Sequence, residues 1–307
     1  MTYPNRVATL ARAYGGTAAS PHLQPSPGST ETGAVAAIEA DRYLLGRAEA
    51  EEGRLERQAA AFAAISEEHF DRAGVKAGER VVELGCGPGG ELARLARRVG
   101  SMGAVLGIER SPHFAKLARQ SAVDQGWLNV EVREGDAYHT GLPRGSFDGG
   151  HMRLVLCNVP RPELIARELV SLVRPGGWVT SFEADYSSHH CDPPLAAWTR
   201  LLDAFKAYSA EQGIDVNVGR RTHRLFREAG LTDIQVDAVV GVHALGHPRR
   251  TILRDFINNV RDNLIDDGFI ARDELEHDMR VLDDYLSDPE ALVTSHVFYR
   301  LWGRVPR

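Results

Sequence analysis

The stretch Val81-Val82-Glu83-Leu84-Gly85-Cys86-Gly87-Pro88-Gly89-Gly90 constrains the fold more than any other part of the chain. An apolar run ends in a turn so rich in glycine that the backbone bends sharply and a ligand can approach with no Cβ in the way. The residues after it read as a helix, so the turn lies at a helix N-terminus, where unpaired N–H groups face polar ligand atoms. Strand, glycine turn and helix form the opening unit of an alternating α/β domain. The spacing Gly85-x-Gly87-x-x-Gly90 on its own also fits a dinucleotide site.

The alternation continues downstream. Strands are predicted at Arg80–Leu84, Ala104–Glu109, Val130–Glu134, Phe147–Leu154 and Trp178–Glu183, with helices at Gly90–Val99, after Ser111-Pro112, and at Pro162–Val173. Such order implies a mostly parallel sheet with helices on both faces. Helices then follow at Pro194–Glu211 and Gly219–Ala229, a strand at Asp233–Val240, helices at Pro248–Asp266 and Ala271–Leu286, and a last strand at Thr294–Arg304. The expected class is α/β and Rossmann-like, with an N-terminal helical segment and a helical insertion before the last strand. Residues 1–33 read as an arm and flexible connector, because 20–33 are rich in Pro, Ser, Thr and Gly. Residues 34–74 read as a helical segment, and 75–307 as the main domain with a helical lid at about 247–290.

Three features narrow the choice of ligand. Glu83 stands two residues before the first glycine. Glu109, at the end of the second strand, can accept hydrogen bonds from both hydroxyls of a ribose, which serves either cofactor class. Asp136, in Glu134-Gly135-Asp136-Ala137, can accept a bond from an adenine amino group. With Leu142-Pro143, Ser146-Phe147-Asp148 and Arg174-Pro175-Gly176-Gly177 in that order, the set resembles class I S-adenosylmethionine-dependent methyltransferases, in the ubiquinone/menaquinone-type branch. Tyr43-x-x-Gly46 and Arg54-Leu55-x-x-Gln58 also resemble a segment that precedes the first strand in bacterial members.

The resemblance implies S-adenosyl-L-methionine as cofactor. It implies contacts to it from Tyr43, Gln58, Glu83, Gly85, Cys86, Gly87, Glu109, Arg110, Asp136, Ala137 and Arg153. The helix bearing Arg54 and Gln58, which share a face one turn apart, is expected to cover the methionine end. The implied activity is methyl transfer to a small, natural-product-like acceptor at O, N or C. Two alternatives stay open: a nicotinamide-dependent oxidoreductase, and a non-catalytic protein that binds S-adenosylmethionine.

In an open α/β sheet the ligand crevice lies beyond the carboxyl ends of the strands. That singles out 151–158 and 183–192, and the second stretch is dense in titratable groups. Glu183 and His189 are the candidate bases, with His139 and His151 behind them. Tyr14, Tyr186 and Trp198 are candidates to line the acceptor pocket. The run His189-His190-Cys191-Asp192 is not expected to hold a metal, since adjacent side chains do not readily all turn onto one ion.

Composition limits the partners. Lys and Arg number 36 against 42 Asp and Glu, and the stretch Arg261–Glu290 holds eleven acidic residues against three basic ones. Such a surface repels nucleic acid, whose affinity comes largely from neutralised phosphates. No apolar run approaches the roughly 18 residues of a membrane span. The start of the chain lacks the charged and apolar pattern of a signal peptide. Three scattered cysteines form no disulfide framework, so a cytoplasmic protein is expected, with room for a homo-oligomer.

Overall fold

The computed structural model describes residues 49–307. Two helices come first, α1 (Glu49–Ala61) and α2 (Ala63–Ala73), separated at Phe62. The expected single helical run is thus broken. α2 ends at Gly74, whose φ of +74° lets its N–H reach back to Phe70 and Asp71.

Then come β1 (Arg80–Leu84), α3 (Leu92–Val99), β2 (Ala104–Glu109), α4 (Pro112–Asp124), β3 (Val130–Glu134), β4 (Phe147–Arg153), α5 (Pro162–Leu172) and β5 (Val173–Asp185). Ser111 caps α4 by accepting the Phe114 N–H at 3.4 Å, and Pro112 occupies the first turn, where its missing N–H costs nothing. After β5 the chain forms a short β6 (Cys191–Asp192), α6 (Ala196–Glu211), α7 (Thr222–Glu228), β7 (Thr232–Val239), α8 (Ile252–Asp266), α9 (Arg272–Ser287), a short β8 (Leu292–Val293) and β9 (Val297–Arg304).

The main sheet has seven strands in the order β3-β2-β1-β4-β5-β9-β7. β1 to β5 pair in parallel, while β9 runs antiparallel to both β5 and β7. The fold is therefore a mostly parallel, Rossmann-like α/β sheet. Strand order reverses between β1 and β4, the place where such sheets open a crevice at their carboxyl ends. β1 is buried along four of its five residues, as a central strand covered on both faces should be.

Two core layers flank the sheet. One gathers Phe70, Leu95, Val99 and Trp178 under α2 and α3; the other gathers Leu169, Phe226 and Leu301 under α5 and α7. A third cluster joins α6, α8 and α9 to the ends of β5 and β9 through Phe205, Ile257, Leu282 and Phe298. β5 starts at Val173 rather than Trp178, but its pairing with β4 jumps from Phe147–Val173 to Gly149–Trp178 across Gly176, whose φ is +77°. The pairing of β6 with β8 has no counterpart among the expected strands.

Candidate functional site

The glycine turn is held by its own sheet. Gly85 and Cys86 donate N–H bonds to the Ile108 carbonyl at 2.8 and 3.2 Å, and Gly89 donates to Cys86 O at 3.0 Å. Gly85 has φ +68°, and a Cβ there would come within 2.7 Å of Val155 in the loop after β4. Gly87 has φ +53° and open space where its Cβ would lie. The first glycine thus admits a neighbouring loop, and the second leaves the face of the turn bare. Cys86 is buried, its sulfur filling the space over Gly107. Burial pushes its thiol well above the usual range, so it serves packing rather than nucleophilic chemistry.

Carboxylates surround this turn. Glu109 accepts the Gly87 N–H at 2.9 Å and the Ser111 N–H at 2.8 Å. Glu83, at the tip of β1, is buried with Oε2 unpartnered, and burial followed by the charge of Glu91 raises its pKa well above the ordinary value. Glu91, also buried, pairs with Arg153 and Arg94. Ala137 packs partly buried against the α5 side of the core, whereas Arg110 is exposed. Asp136 is exposed one residue beyond the Gly135 N–H, which bonds Glu109 O at 3.0 Å; its Oδ1 accepts the Tyr138 N–H at 2.9 Å.

Above the turn, Gln58 on α1 is buried and accepts from Arg54 at 2.9 Å and from Arg249 at 3.2 Å. Arg54 is in turn clamped by Glu51 through two bonds of 2.7 and 2.6 Å. The guanidinium of Arg153 lies over the Phe62 ring. Gln58 and Arg153 therefore come to the same end of the sheet as the glycine turn. Tyr43 and Tyr14 lie outside the described residues.

Glu183 requires a correction. Its buried carboxylate accepts the N–H groups of Val155 and Leu156 at 3.0 Å each and of Cys157 at 3.2 Å. Burial pushes its pKa up to about 7, against the pull of these bonds. The sequence marks it as a base; in the structure three main-chain bonds make this fully buried group a clamp on the loop after β4. His151 is likewise core: buried on β4, it bonds Thr180 Oγ1 at 2.7 Å and meets the edge of Phe70. His139 is exposed. Arg220 and Arg221 are ion-paired to Asp185 and Asp215.

His189 fares differently. It is buried with both ring nitrogens unpartnered, edge-on to Trp198 at 4.6 Å and perpendicular to His296 at 4.3 Å. Burial, then the charge of Arg249, depresses its pKa well below the usual value, so the ring is neutral near pH 7. Tyr186 stacks on His296 at 4.0 Å, and Trp198 donates to His189 O at 3.2 Å. The three expected residues thus assemble, joined by His296, His243 and Arg249, which sequence reasoning missed. The alternation along 295–302 places His296 and Phe298 on one face, and was the only available signal. Among the described residues no His, Cys, Asp and Glu group is arranged to hold a metal ion, and no helix is long and apolar enough to cross a membrane.

Residues 82–181 match the family described as "Methyltransferase domain". The chain is 31% identical over 197 residues to an uncharacterized protein of a Streptomyces fradiae transposon, covering 59% of this chain and 54% of that one. It is 26% identical over 205 residues to demethylmenaquinone methyltransferase of Geobacillus sp. (strain WCH70), covering 60% and 85%. Among solved structures it resembles phosphoethanolamine N-methyltransferase 2 of Haemonchus contortus, in complex with phosphomonomethylethanolamine and S-adenosylhomocysteine. The TM-score is 0.51 at 16% identity, over 81% of this chain and 52% of that one. The chain thus spans about half the length of several proteins it matches.

Proposed function

The chain belongs to the class I S-adenosylmethionine-dependent methyltransferases, and from that premise we propose that it transfers a methyl group from S-adenosylmethionine to a small-molecule acceptor. One observation carries the choice of ligand. The Gly87 N–H, a donor that a pyrophosphate would need, is already given to Glu109, with buried Glu83 and Glu91 close by. A phosphate about 4 Å from one such carboxylate would be opposed by about 4 kcal/mol at an effective dielectric of 20. A sulfonium with its ammonium group carries positive charge and suits a turn bordered by the Glu109 carboxylate. That argues against a nicotinamide dinucleotide.

In this reading Glu109 faces the ribose and Asp136 the adenine, while Gly85 and Gly87 give close approach to the backbone. Glu83, Arg153 and Gln58 border the methionine end. The sulfonium supplies a methyl carbon already activated for attack, so the protein need only orient the acceptor, exclude water and manage a proton. Holding two reactants in a near-attack pose lowers a barrier by roughly 7–11 kcal/mol. Tyr186 and Trp198 form flat walls for the acceptor, and α8 and α9 act as a lid over it. His189, neutral and buried beside them, is the remaining candidate to take a proton. The three cysteines are unpaired, which suits a reducing cytoplasm.

Calorimetry with S-adenosylhomocysteine and with NAD(H) tests the ligand, and a screen of small acceptors for product by mass spectrometry tests the transfer. Tight binding of NAD(H) with none of S-adenosylhomocysteine would overturn the proposal.

A further inference from the structure

Arg249 and Arg250 both lie buried in the turn before α8, yet only one is fully matched. Arg250 donates to the carbonyl oxygens of His243, Leu286, Asp288 and Ala291, each at 2.8 Å, and so ties the turn to the chain between α9 and β8. Arg249 donates to Gln58 Oε1 at 3.2 Å, and its Nε is buried without a partner. No carboxylate of the described residues approaches it within 4.0 Å. Its remaining surroundings include the rings of Phe62 and Phe298, 4.5 and 5.4 Å from the guanidinium carbon. Ring faces compensate a buried cation only in part. The strain is visible in its acidity: burial, then the charge of Arg54, brings Arg249 down to about 9.

The charge of Arg249 acts on three imidazoles. His189 and His296 meet at 4.3 Å, and His243 stacks on His247 at 4.3 Å. All six ring nitrogens of His189, His243 and His296 are buried and unpartnered. Burial, aided by the charge of Arg249, holds each ring neutral near pH 7. A neutral imidazole offers one N–H and one lone pair. Arg54 and Arg153 lie nearby but are paired to Glu51 and Glu91, so Arg249 is the guanidinium here whose charge meets neutral imidazoles, with Tyr186 against His296 and Trp198 against His189.

We propose that Arg249, His189, His243 and His296 form a buried receptor for the carboxylate of a small molecule. A planar carboxylate matches the guanidinium fork and accepts from imidazole N–H groups. Its single charge balances that of Arg249, whereas a phosphate dianion would leave a negative charge buried in excess. The carboxylate belongs either to the acceptor or to the methionine end of the cofactor, and for these two carriers the receptor rests on the methyl-transfer reading.

Arg249→Met in the full chain removes the charge and keeps an apolar stem. Calorimetry with S-adenosylhomocysteine, and with 2-naphthoate against neutral 2-naphthamide in its presence, separates the carriers. If the acceptor supplies the carboxylate, the native chain prefers naphthoate by about tenfold or more, and Arg249→Met abolishes that preference without changing the affinity for S-adenosylhomocysteine. If the cofactor supplies it, Arg249→Met weakens S-adenosylhomocysteine by about tenfold or more. In both cases the ligand-free variant melts at or above the native temperature, because an unpaired buried charge has been removed. Affinities unchanged for both ligands overturn the receptor. So does a melting temperature lowered by more than about 4 °C, which marks Arg249 as structural. Absence of S-adenosylhomocysteine binding to the native chain defeats the methyl-transfer reading instead, and the naphthoate comparison still decides on the receptor.

Discussion

Glu109 takes the N–H of Gly87 on Oε2 at 2.9 Å, and the N–H of Ser111 on Oε1 at 2.8 Å. One carboxylate at the tip of β2 thereby shapes the turn after β1 and the head of α4. A turn formed before its ligand arrives spends less of the binding energy on ordering.

Glu109→Ala releases that turn, and Gly87→Val forces a β-branched residue to φ +53°. Each is expected to weaken S-adenosylmethionine by more than about tenfold, as is Asp136→Leu. Calorimetry on variants with native circular dichroism checks this. Native affinity in all three would remove the cofactor from this turn.

Glu183 predicts a pH signature. Its folded-state pKa of about 7 lies above the ordinary 4.5, so the folded state holds the proton more tightly than the unfolded chain. Its contribution is complete below about pH 4.5 and lost as pH rises through 7, by up to about 3 kcal/mol. The stability difference between the native chain and Glu183→Gln should therefore shift against the native chain by that order between about pH 5 and pH 8. Urea unfolding at both values measures it; a constant difference contradicts the shift.

His69 acts in the opposite sense. Burial on α2 brings its pKa down to about 4, against the pull of its bond to Leu301 O at 2.9 Å. The unfolded chain binds the proton first, so stability is full above about pH 6.5 and falls towards pH 4, by up to about 3 kcal/mol from this group. Replacing His69 with Phe should flatten that acid limb in urea titrations.

Helices α8 and α9 share a core with α6. Leu282 on α9 is fully buried in the cluster with α6 and α8. Leu282→Ala is expected to cost about 2–5 kcal/mol in denaturant unfolding. Affinity for S-adenosylhomocysteine should stay within about twofold, because the glycine turn belongs to other layers. A matching loss of affinity would show that the two regions are coupled.

The glycine turn proposed for the cofactor was legible because it is local. Glycines at fixed spacing, an apolar strand and an acid at the next strand tip all lie within residues 81–109, and the strand period places them together. Of the cluster proposed for the acceptor, the sequence pointed only to the members that lie close together in it, Tyr186, His189 and Trp198. His243, Arg249 and His296 reach the same place from three later segments, and no short-range pattern records that meeting. Glu183 was misread for a related reason. A carboxylate at a strand end looks free in sequence, and only the returning loop at 155–157 shows what it holds.

The reversed strand β9 also bears on how the chain is made. Among the described residues β7 pairs only with β9, which leaves the ribosome after α8 and α9 have been synthesised. Until then β5 presents an open edge and β7 has nowhere to dock, so vectorial synthesis passes through a stage in which two strands are exposed to wrong partners. Nascent chains stalled near residue 290 should therefore be more prone to proteolysis and to aggregation than chains stalled behind an added linker of a few dozen residues after Arg307.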